Sequence, residues 1–282
     1  MSRIELHCPS CGYDVPPTLM PPPKMFSCPE CLEVMPREKL TKLKVLNRRI
    51  AGVGAANTMS ATVVGSGSFY DPTQATGSLS IPNCVFKAGD VCLLCVALNV
   101  SGDGSDVSAA TVGGLGLSEV SGFPPIAGDQ ALSAWARYNI TAGSKTVAIT
   151  SFALNPTACA AVVVAVSGAK TVNAVDGSSG NSSATAAFDT LATSSLLFAN
   201  EFAVAMVASQ NASIALGPTW NGGFVAPSGG VGHVGTNSGG PPSDTVIDIA
   251  FMPLLSAAAV NATGTLPNAV SWGAGIVTIK PL

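Results

Sequence analysis

Charged residues are scarce in this chain. Asp, Glu, Lys and Arg make up 10% of its 282 residues, against about 25% in an average soluble domain. The low charge does not indicate disorder, because 47% of the residues are apolar and can fill a core. Gly, Ala, Ser, Thr and Val dominate. This composition favours an all-β domain that hides much of its surface in an assembly.

The sequence also lacks a long apolar run. The longest, Ala158–Val166, has nine residues, far fewer than the roughly 20 that a helix needs to cross a bilayer. Residues 1–7 carry no apolar stretch of the kind found in a secretory signal. We therefore expect no membrane span and a reducing cytoplasm as the place of folding. That compartment favours free, buried thiols over disulfides for Cys84, Cys92, Cys95 and Cys159.

Histidine is rarer still, with two residues, His7 and His233. With so few imidazoles and scattered carboxylates, no general acid–base pair stands out. Residues 237–241, N-S-G-G-P, imitate the nucleophile segment of chymotrypsin-like proteases. However, Asn237 replaces the Asp, and His233 lies five residues before Ser238 instead of on a distant strand. A polar turn is the better interpretation, and we predict that the protein is not an enzyme.

Cysteine, by contrast, is concentrated at the start of the chain. Two C-P-x-C pairs are separated by sixteen residues, and thiolates so spaced on two tight turns can close a tetrahedral four-sulfur shell. A piece of about 35 residues buries too little apolar surface to fold alone, so a metal would supply the free energy. We predict a zinc ribbon over residues 1–36. Its structural zinc would be bound by Cys8, Cys11, Cys28 and Cys31.

Other uses of the four thiolates remain open. Iron in a rubredoxin-like site uses the same spacing, but Leu32 follows Cys31 where a glycine is usual. A redox C-x-x-C needs a single pair near a βαβ pattern, and the sequence shows no such pattern. Four thiolates leave no open position for water, so catalysis at this metal is disfavoured. His7 is expected beside the site or exposed, and not as a ligand.

Charge is distributed unevenly along the chain. Residues 1–50 hold eight Lys or Arg and five Asp or Glu, a net charge of +3, and the remainder holds five and eleven, a net charge of −6. The two ends would therefore meet different partners. Residues 37–60 predict a short basic helix followed by a small-residue linker, with Leu40, Leu43 and Leu46 three residues apart. This helix is either a partner-binding arm or a solvated helix packed on the ribbon.

From residue 61 onward, apolar runs alternate with Gly, Pro, Asn and Ser, which is typical of strands and turns. Helical periodicity is absent from this part of the sequence. We predict one antiparallel β-sandwich domain over residues 61–282. Its candidate strands are 62–68, 77–85, 91–99, 108–112, 116–121, 131–139, 145–152, 159–167, 185–190, 202–209, 212–216, 245–252, 256–263 and 270–279.

The two halves of this domain repeat one order of features. In each half an acidic residue, Asp90 or Glu201, opens a buried strand, and a Gly-rich turn, an alternating strand, a small turn and a closing strand follow. The last of these is Ala161–Val164 in the first half and Ala274–Ile279 in the second. Two similar half-sheets that face each other would make a sandwich.

The residues that carry this order resemble those of a known family. Gly89-Asp90-Val91 opens the first half, Thr219-Trp220-Asn221-Gly222 forms a turn in the second, and Trp272–Pro281 closes it. Over roughly residues 61–282, the pattern resembles the jelly-roll-like β-sandwich domains of tailed-phage virion proteins and some bacterial surface proteins. The resemblance implies a binding or structural module, and the family offers no catalytic residues to transfer.

A zinc ribbon in front of such a domain resembles phage head proteins whose N-terminal piece grips the shell while the sandwich projects. This resemblance implies a capsid decoration or cement protein of the virion, assembled in the host cytoplasm. Its ribbon and basic arm would contact the major capsid protein or another virion protein. By analogy with projecting sandwiches on symmetric shells, we expect a homo-oligomer, specifically a trimer.

Two other functions compete with capsid decoration. The alternative is a tail or fibre module that binds a receptor or glycan, with Trp220 and Phe224 as an aromatic platform, unless these rings only cover the end of the sandwich. A nucleic-acid site is disfavoured. The six basic residues within 37–49 are offset by one acid, and the only aromatic residues near them are Tyr13 and Phe26.

Overall fold

The computed structural model describes seven stretches of the chain, and all structural statements concern these residues. They are 25–27, 34–36, 59–99, 106–123, 130–210, 217–236 and 244–282. The chain divides into two compact units, Met1–Asn57 and Thr58–Leu282. In the first unit, the described residues form one antiparallel pair, β1 (Met25–Ser27) with β2 (Val34–Pro36).

The second unit is mainly β, as the sequence predicts. Its strands are β3 Ser60–Tyr70, β4 Leu79–Phe86, β5 Asp90–Asn99, β6 Val107–Val112, β7 Leu115–Gly116, β8 Ser118–Glu119, β9 Gln130–Ile140, β10 Gly143–Phe152, β11 Ala158–Ser167, β12 Val175–Ser183, β13 Ala187–Asp189, β14 Phe202–Ser209, β15 Thr219–Trp220, β16 His233–Gly235, β17 Val246–Pro253, β18 Thr263–Thr265 and β19 Trp272–Ile279. A single 3-10 turn is described, at Ser228–Gly230. Within the described ranges, no helix has the length and apolar character that crossing a membrane requires.

Strands β3 to β11 form a first sandwich. Its outer sheet has four strands in the order β4-β10-β6-β7, and its inner sheet has five in the order β3-β11-β5-β9-β8. All of these neighbours are antiparallel. Apolar side chains of the two sheets, among them Leu94, Trp135 and Ile149, pack against each other between the layers.

Strands β12 to β19 form a second sandwich with the same topology. Its inner sheet has the order β12-β19-β14-β17-β16, and its outer sheet has the order β13-β18-β15. In chain order, strands β12 to β19 correspond to the strands of the first sandwich without β7, which are β3, β4, β5, β6, β8, β9, β10 and β11. In each half the first and last strands lie side by side in the inner sheet, and the second strand pairs with the second-last in the outer sheet. A chain that doubles back in this way is jelly-roll-like.

The two inner sheets pack face to face and create a central core. Leu93 of the first half and Met206 and Ile249 of the second belong to this core. The unit therefore has four sheet layers, two inner and two outer. Because each inner sheet is covered on both faces, β5, β14 and β19 are buried at every position. Their continuous apolar sequences follow from this double burial, since a strand with one solvated face would alternate.

The acidic residue that opens the central strand of each inner sheet has a structural role. Asp90 is 3% exposed, and its Oδ2 accepts a hydrogen bond from the backbone N–H of Lys87 at 2.7 Å. Glu201 is 1% exposed, and its Oε1 accepts one from the backbone N–H of Phe198 at 3.2 Å. In both halves the carboxyl group bonds the residue three positions earlier, and so it closes the turn before the strand.

The structure differs from the predicted strands in several places. Strand β12 was not predicted, because its sequence VDGSSGNSS has neither an apolar run nor alternation. The strand predicted over 256–263 is wrong, since the described strand β18 begins only at Thr263. Residues 256–259 are small but exposed, and apolar character without burial does not make a strand. The predicted strand 212–216 and most of the predicted arm 37–60 lie outside the described residues.

Candidate functional site

The predicted zinc ligands Cys8, Cys11, Cys28 and Cys31 lie outside the described residues. The strands on either side of the second pair are described: β1 ends at Ser27, β2 begins at Val34, and these two residues are partners in the ladder. The second C-P-x-C pair lies in sequence between these two strands, among residues 28–33, which are outside the described residues. The ligand set stays a prediction.

The four cysteines of the second unit are free and buried. Cys92 faces the core of the first sandwich, whereas Cys95 faces the central core. The two side chains therefore point to opposite faces of β5, as residues three positions apart on a strand do. Burial raises the pKa of the Cys95 thiol to about 12, so no thiolate forms there near neutral pH. Among the described residues, no group of three or more His, Cys, Asp and Glu side chains could hold a metal ion.

A histidine–aspartate pair lies at the edge of the second sandwich. His233 on β16 is the ladder partner of Asp248 on β17, and His233 Nδ1 lies 2.6 Å from Asp248 Oδ1. Asp248 is 4% exposed. Burial raises the pKa of Asp248, and the hydrogen bond and charge of His233 oppose this rise. A buried carboxyl group is stabilised by such a partner.

This pair lies in the wall of a cleft of about 230 Å³. The rest of the lining is largely apolar or glycine, and includes Pro218, Trp220 and Pro227. A concave, mostly apolar cleft with a few converging polar groups is the usual form of a small-ligand site. The sequence analysis missed Asp248 as a site residue. The available signal was one acidic residue inside the apolar strand β17, because a buried charge needs a partner.

Trp220 is held in place by other aromatic rings. Its ring centroid lies 5.0 Å from that of Phe188, edge to face, and 6.4 Å from that of Phe224. Phe224 is buried and belongs to the core of the second sandwich, whereas Trp220 is partly exposed and lines the cleft. Of the two aromatic residues considered as a platform, one is thus a core residue and the other is a wall of the cleft.

A histidine oriented by a carboxylate is also part of hydrolytic triads, in which a serine completes the set. Ser238, the serine of the N-S-G-G-P segment, lies outside the described residues. The His233–Asp248 pair places a hydrogen-bonded imidazole and carboxyl group in the wall of the cleft.

A second titratable cluster joins three adjacent strands of the same sandwich. Asp176 on β12 accepts a hydrogen bond from the backbone N–H of Leu197 at 2.6 Å and pairs with Lys280 Nζ at 3.3 Å. Glu201, which precedes β14, has a buried oxygen, Oε2, that accepts no hydrogen bond from the described residues. The pKa of Glu201 depends on the neighbouring Asp176. Because Oε2 is buried and accepts no hydrogen bond from the described residues, protonation of the Glu201 carboxyl group stabilises it.

The two carboxyl groups titrate in opposite directions. Burial, followed by the hydrogen bond to Asp176 and the charge of Asp176, raises the pKa of Glu201 to about 7. Burial also acts to raise the pKa of Asp176, but hydrogen bonds from Glu201, Leu197 and Lys280 outweigh it, and the pKa of Asp176 is lowered. Near neutral pH, the pair therefore shares one proton, which is carried mainly by Glu201.

Glu201→Gln is expected to remove one step from the pH dependence of stability. Because the pKa of Glu201 is raised in the folded state, its protonated carboxyl group stabilises the fold. This stabilisation is fully present below about pH 4.5 and is lost as the pH rises to about 7. The Gln variant keeps a donor toward Asp176 at every pH. Between pH 4.5 and 8, the free energy of unfolding of the wild type should fall by about 2–3 kcal/mol relative to that of the variant.

Urea unfolding at a series of pH values measures this difference. Asp189→Asn is the control, since it changes an acidic residue outside the cluster and should follow the wild-type profile. Parallel profiles for the wild type and Glu201→Gln would show that Glu201 does not hold the extra proton.

Comparison with models of known protein families and with curated proteins found no match to this chain.

Proposed function

We propose that the protein is a non-enzymatic structural protein of a tailed-phage virion, of the capsid decoration or cement type. The N-terminal zinc ribbon and basic arm attach it to the major capsid protein or another virion protein. The double sandwich is the body that the virion displays. The protein would be assembled in the host cytoplasm.

The observation that carries this proposal is the architecture of the second unit. It is built from two jelly-roll-like sandwiches of the same topology, and jelly rolls recur in viral capsid and lectin domains. Architecture alone does not determine function. The resemblance of residues 61–282 to virion domains, together with the cysteine-rich first unit, favours a virion protein among the functions that this architecture allows.

The charge distribution supports attachment through the N-terminal region. Residues 1–50 carry a net charge of +3, whereas the rest of the chain carries −6. A basic arm would be drawn to an acidic shell, and an acidic body would not compete for the same surface. Zinc would supply the folding free energy of the small first unit, and Cys8, Cys11, Cys28 and Cys31 would hold it.

Cys28→Ser is expected to abolish attachment and leave the body folded. Losing one of four thiolates should remove the zinc, and with it the structure of the first unit. The second unit has its own cores, so its thermal unfolding should not change. Co-sedimentation with virions of the phage that encodes the protein measures attachment. Elemental analysis measures the zinc content, and circular dichroism measures the folding of the second unit.

Ser10→Ala is the matched control, because it alters the first C-P-x-C segment without removing a thiolate. It should bind zinc and particles like the wild type. If Cys28→Ser co-sediments as well as Ser10→Ala does, attachment does not depend on the metal site.

We also propose that the protein is a homo-oligomer on the particle, with a trimer as the first expectation. Closed symmetry is the rule for such assemblies. Multi-angle light scattering of the purified full-length chain tests this expectation, and a monomer in solution and on particles would contradict it.

Receptor or glycan binding by a tail or fibre module is the second candidate function. The cleft beside Trp220 favours it, because this cleft combines a fixed aromatic wall with a buried carboxyl group. A virion protein can both attach to the particle and present such a cleft.

A further inference from the structure

We propose that the cleft between Trp220 and Asp248 binds a single neutral sugar ring. This inference deepens the glycan-binding candidate under Proposed function and rests on it. The described residues that line the cleft support it, and sugar binding there does not depend on how the protein is attached to a particle.

Asp248 supplies the polar side of the site. Among the described residues its side chain makes one hydrogen bond, through Oδ1 to His233. The residue is 4% exposed and lines the cleft, so Oδ2 remains available to a hydroxyl group that enters the cleft. A buried carboxylate oxygen gains most from a donor that reaches it, because charge-assisted hydrogen bonds are the strong ones.

Trp220 supplies the apolar side of the site. A sugar ring has a face of C–H groups that packs on a flat indole, and its hydroxyls project from the rim toward polar partners. Contacts with Phe188 and Phe224 fix the indole, so little side-chain entropy is lost when a ligand packs on it. Pro218 and Pro227 also line the cleft.

The cleft is preformed. A Cβ on Gly232 would lie 2.8 Å from both Pro227 and Ile249, which shows how closely the backbone packs behind the wall. A Cβ on Gly217 would lie 3.1 Å from Asp248 Oδ1, so glycine at this position keeps the carboxyl group accessible. A site that needs no rearrangement binds a small ligand at lower cost.

Size and charge narrow the ligand class. The cleft, at about 230 Å³, is smaller than the roughly 300–1,000 Å³ of pockets for drug-sized ligands, which favours one ring over an extended chain. None of the described residues lining it is Lys or Arg, which disfavours phosphate and acidic sugars. His233 Nδ1 already pairs with Asp248 Oδ1, which disfavours a ligand amine at the carboxyl group and favours a neutral hydroxyl donor.

The test titrates the full-length protein with a panel of methyl glycosides of neutral hexoses and of N-acetylhexosamines. Saturation-transfer NMR and calorimetry report binding, and n-butylamine and inorganic phosphate are probed in parallel. At least one neutral sugar should bind with a Kd of about 1–10 mM, as expected for a ligand of about a dozen atoms.

Ala226→Phe and Asp248→Asn should each weaken this binding about tenfold or more. Ala226 is exposed and lines the cleft, so the larger ring fills the site without disturbing a core. Val225→Phe is the matched control, because it places the same ring one residue away on a side chain that is 67% exposed and outside the lining. It should bind sugar like the wild type, and all variants should unfold near the wild-type temperature.

Several outcomes would overturn the inference. These are binding of butylamine or phosphate in place of sugar, equal sugar binding by Ala226→Phe and Val225→Phe, and no binding at tenfold the expected Kd. Particles are not used in this test, so a negative result leaves the attachment experiment unaffected. A failure of attachment, in turn, would not change the sugar titration.

Discussion

Met206→Asp is expected to prevent the second unit from folding. Met206 is fully buried in the central core between the two inner sheets, where β14 lies between β17 and β19. An isolated carboxylate there would lose its hydration and gain no partner, which costs more than about 5 kcal/mol. Since that core joins both sandwiches, both should lose structure in one transition.

Circular dichroism and urea unfolding of the full-length variant measure this effect. Leu255→Asp is the matched control, because the same carboxylate then replaces an apolar residue that is 85% exposed, and its effect should stay within about 0.5 kcal/mol. Met206→Ala offers a milder change and should cost about 2–4 kcal/mol. Wild-type stability in Met206→Asp would show that the inner sheets do not pack on each other.

Gly264→Ala is expected to lower the free energy of unfolding by about 3 kcal/mol. Gly264 on β18 is the ladder partner of both Phe188 and Trp220. A Cβ at this position would overlap the Thr219 carbonyl oxygen and the Phe188 ring. The Thr219 carbonyl belongs to the paired strand β15 and cannot move without breaking the outer sheet. The glycine is therefore required by a close approach of backbone and ring.

Gly116→Ala is the control for this substitution. Gly116 also lies in a strand of an outer sheet, but a Cβ there would meet no atom within 4 Å. Its replacement should change the stability by less than about 0.5 kcal/mol. Urea unfolding with tryptophan fluorescence compares the two variants, and equal stabilities would contradict the packing of Phe188 and Trp220 around Gly264.

The sequence predicts the central strands of this fold well, for a physical reason. Strands β5, β11 and β14 are buried on both faces, and their long apolar runs leave no other interpretation in a Gly- and Pro-rich chain. The edge strand β12 escapes prediction, because it consists of small polar residues that pair with β19 through the backbone. Strand β16, with three residues, is too short to show a period.

The repeat of the two halves was visible in the sequence, but their arrangement was not. The expected picture is one sandwich made of two facing halves, whereas each half forms its own sandwich and the inner sheets share a third core. Strand pairing is set by contacts between distant residues, which a one-dimensional pattern does not contain. For the same reason Asp248 and its partner His233, fifteen positions apart, could not be joined from the sequence.

Zinc removal from particle-bound protein tests most directly the claim that a metal-held N-terminal unit anchors an independently folded body. The full-length chain would be sedimented with particles before and after treatment with a zinc chelator, and the supernatant examined by circular dichroism. We predict that chelation releases the protein, that the released protein keeps its β spectrum, and that about one zinc per chain is removed. Protein that stays on the particles after its metal is gone, or that carries no metal at the outset, would contradict the account.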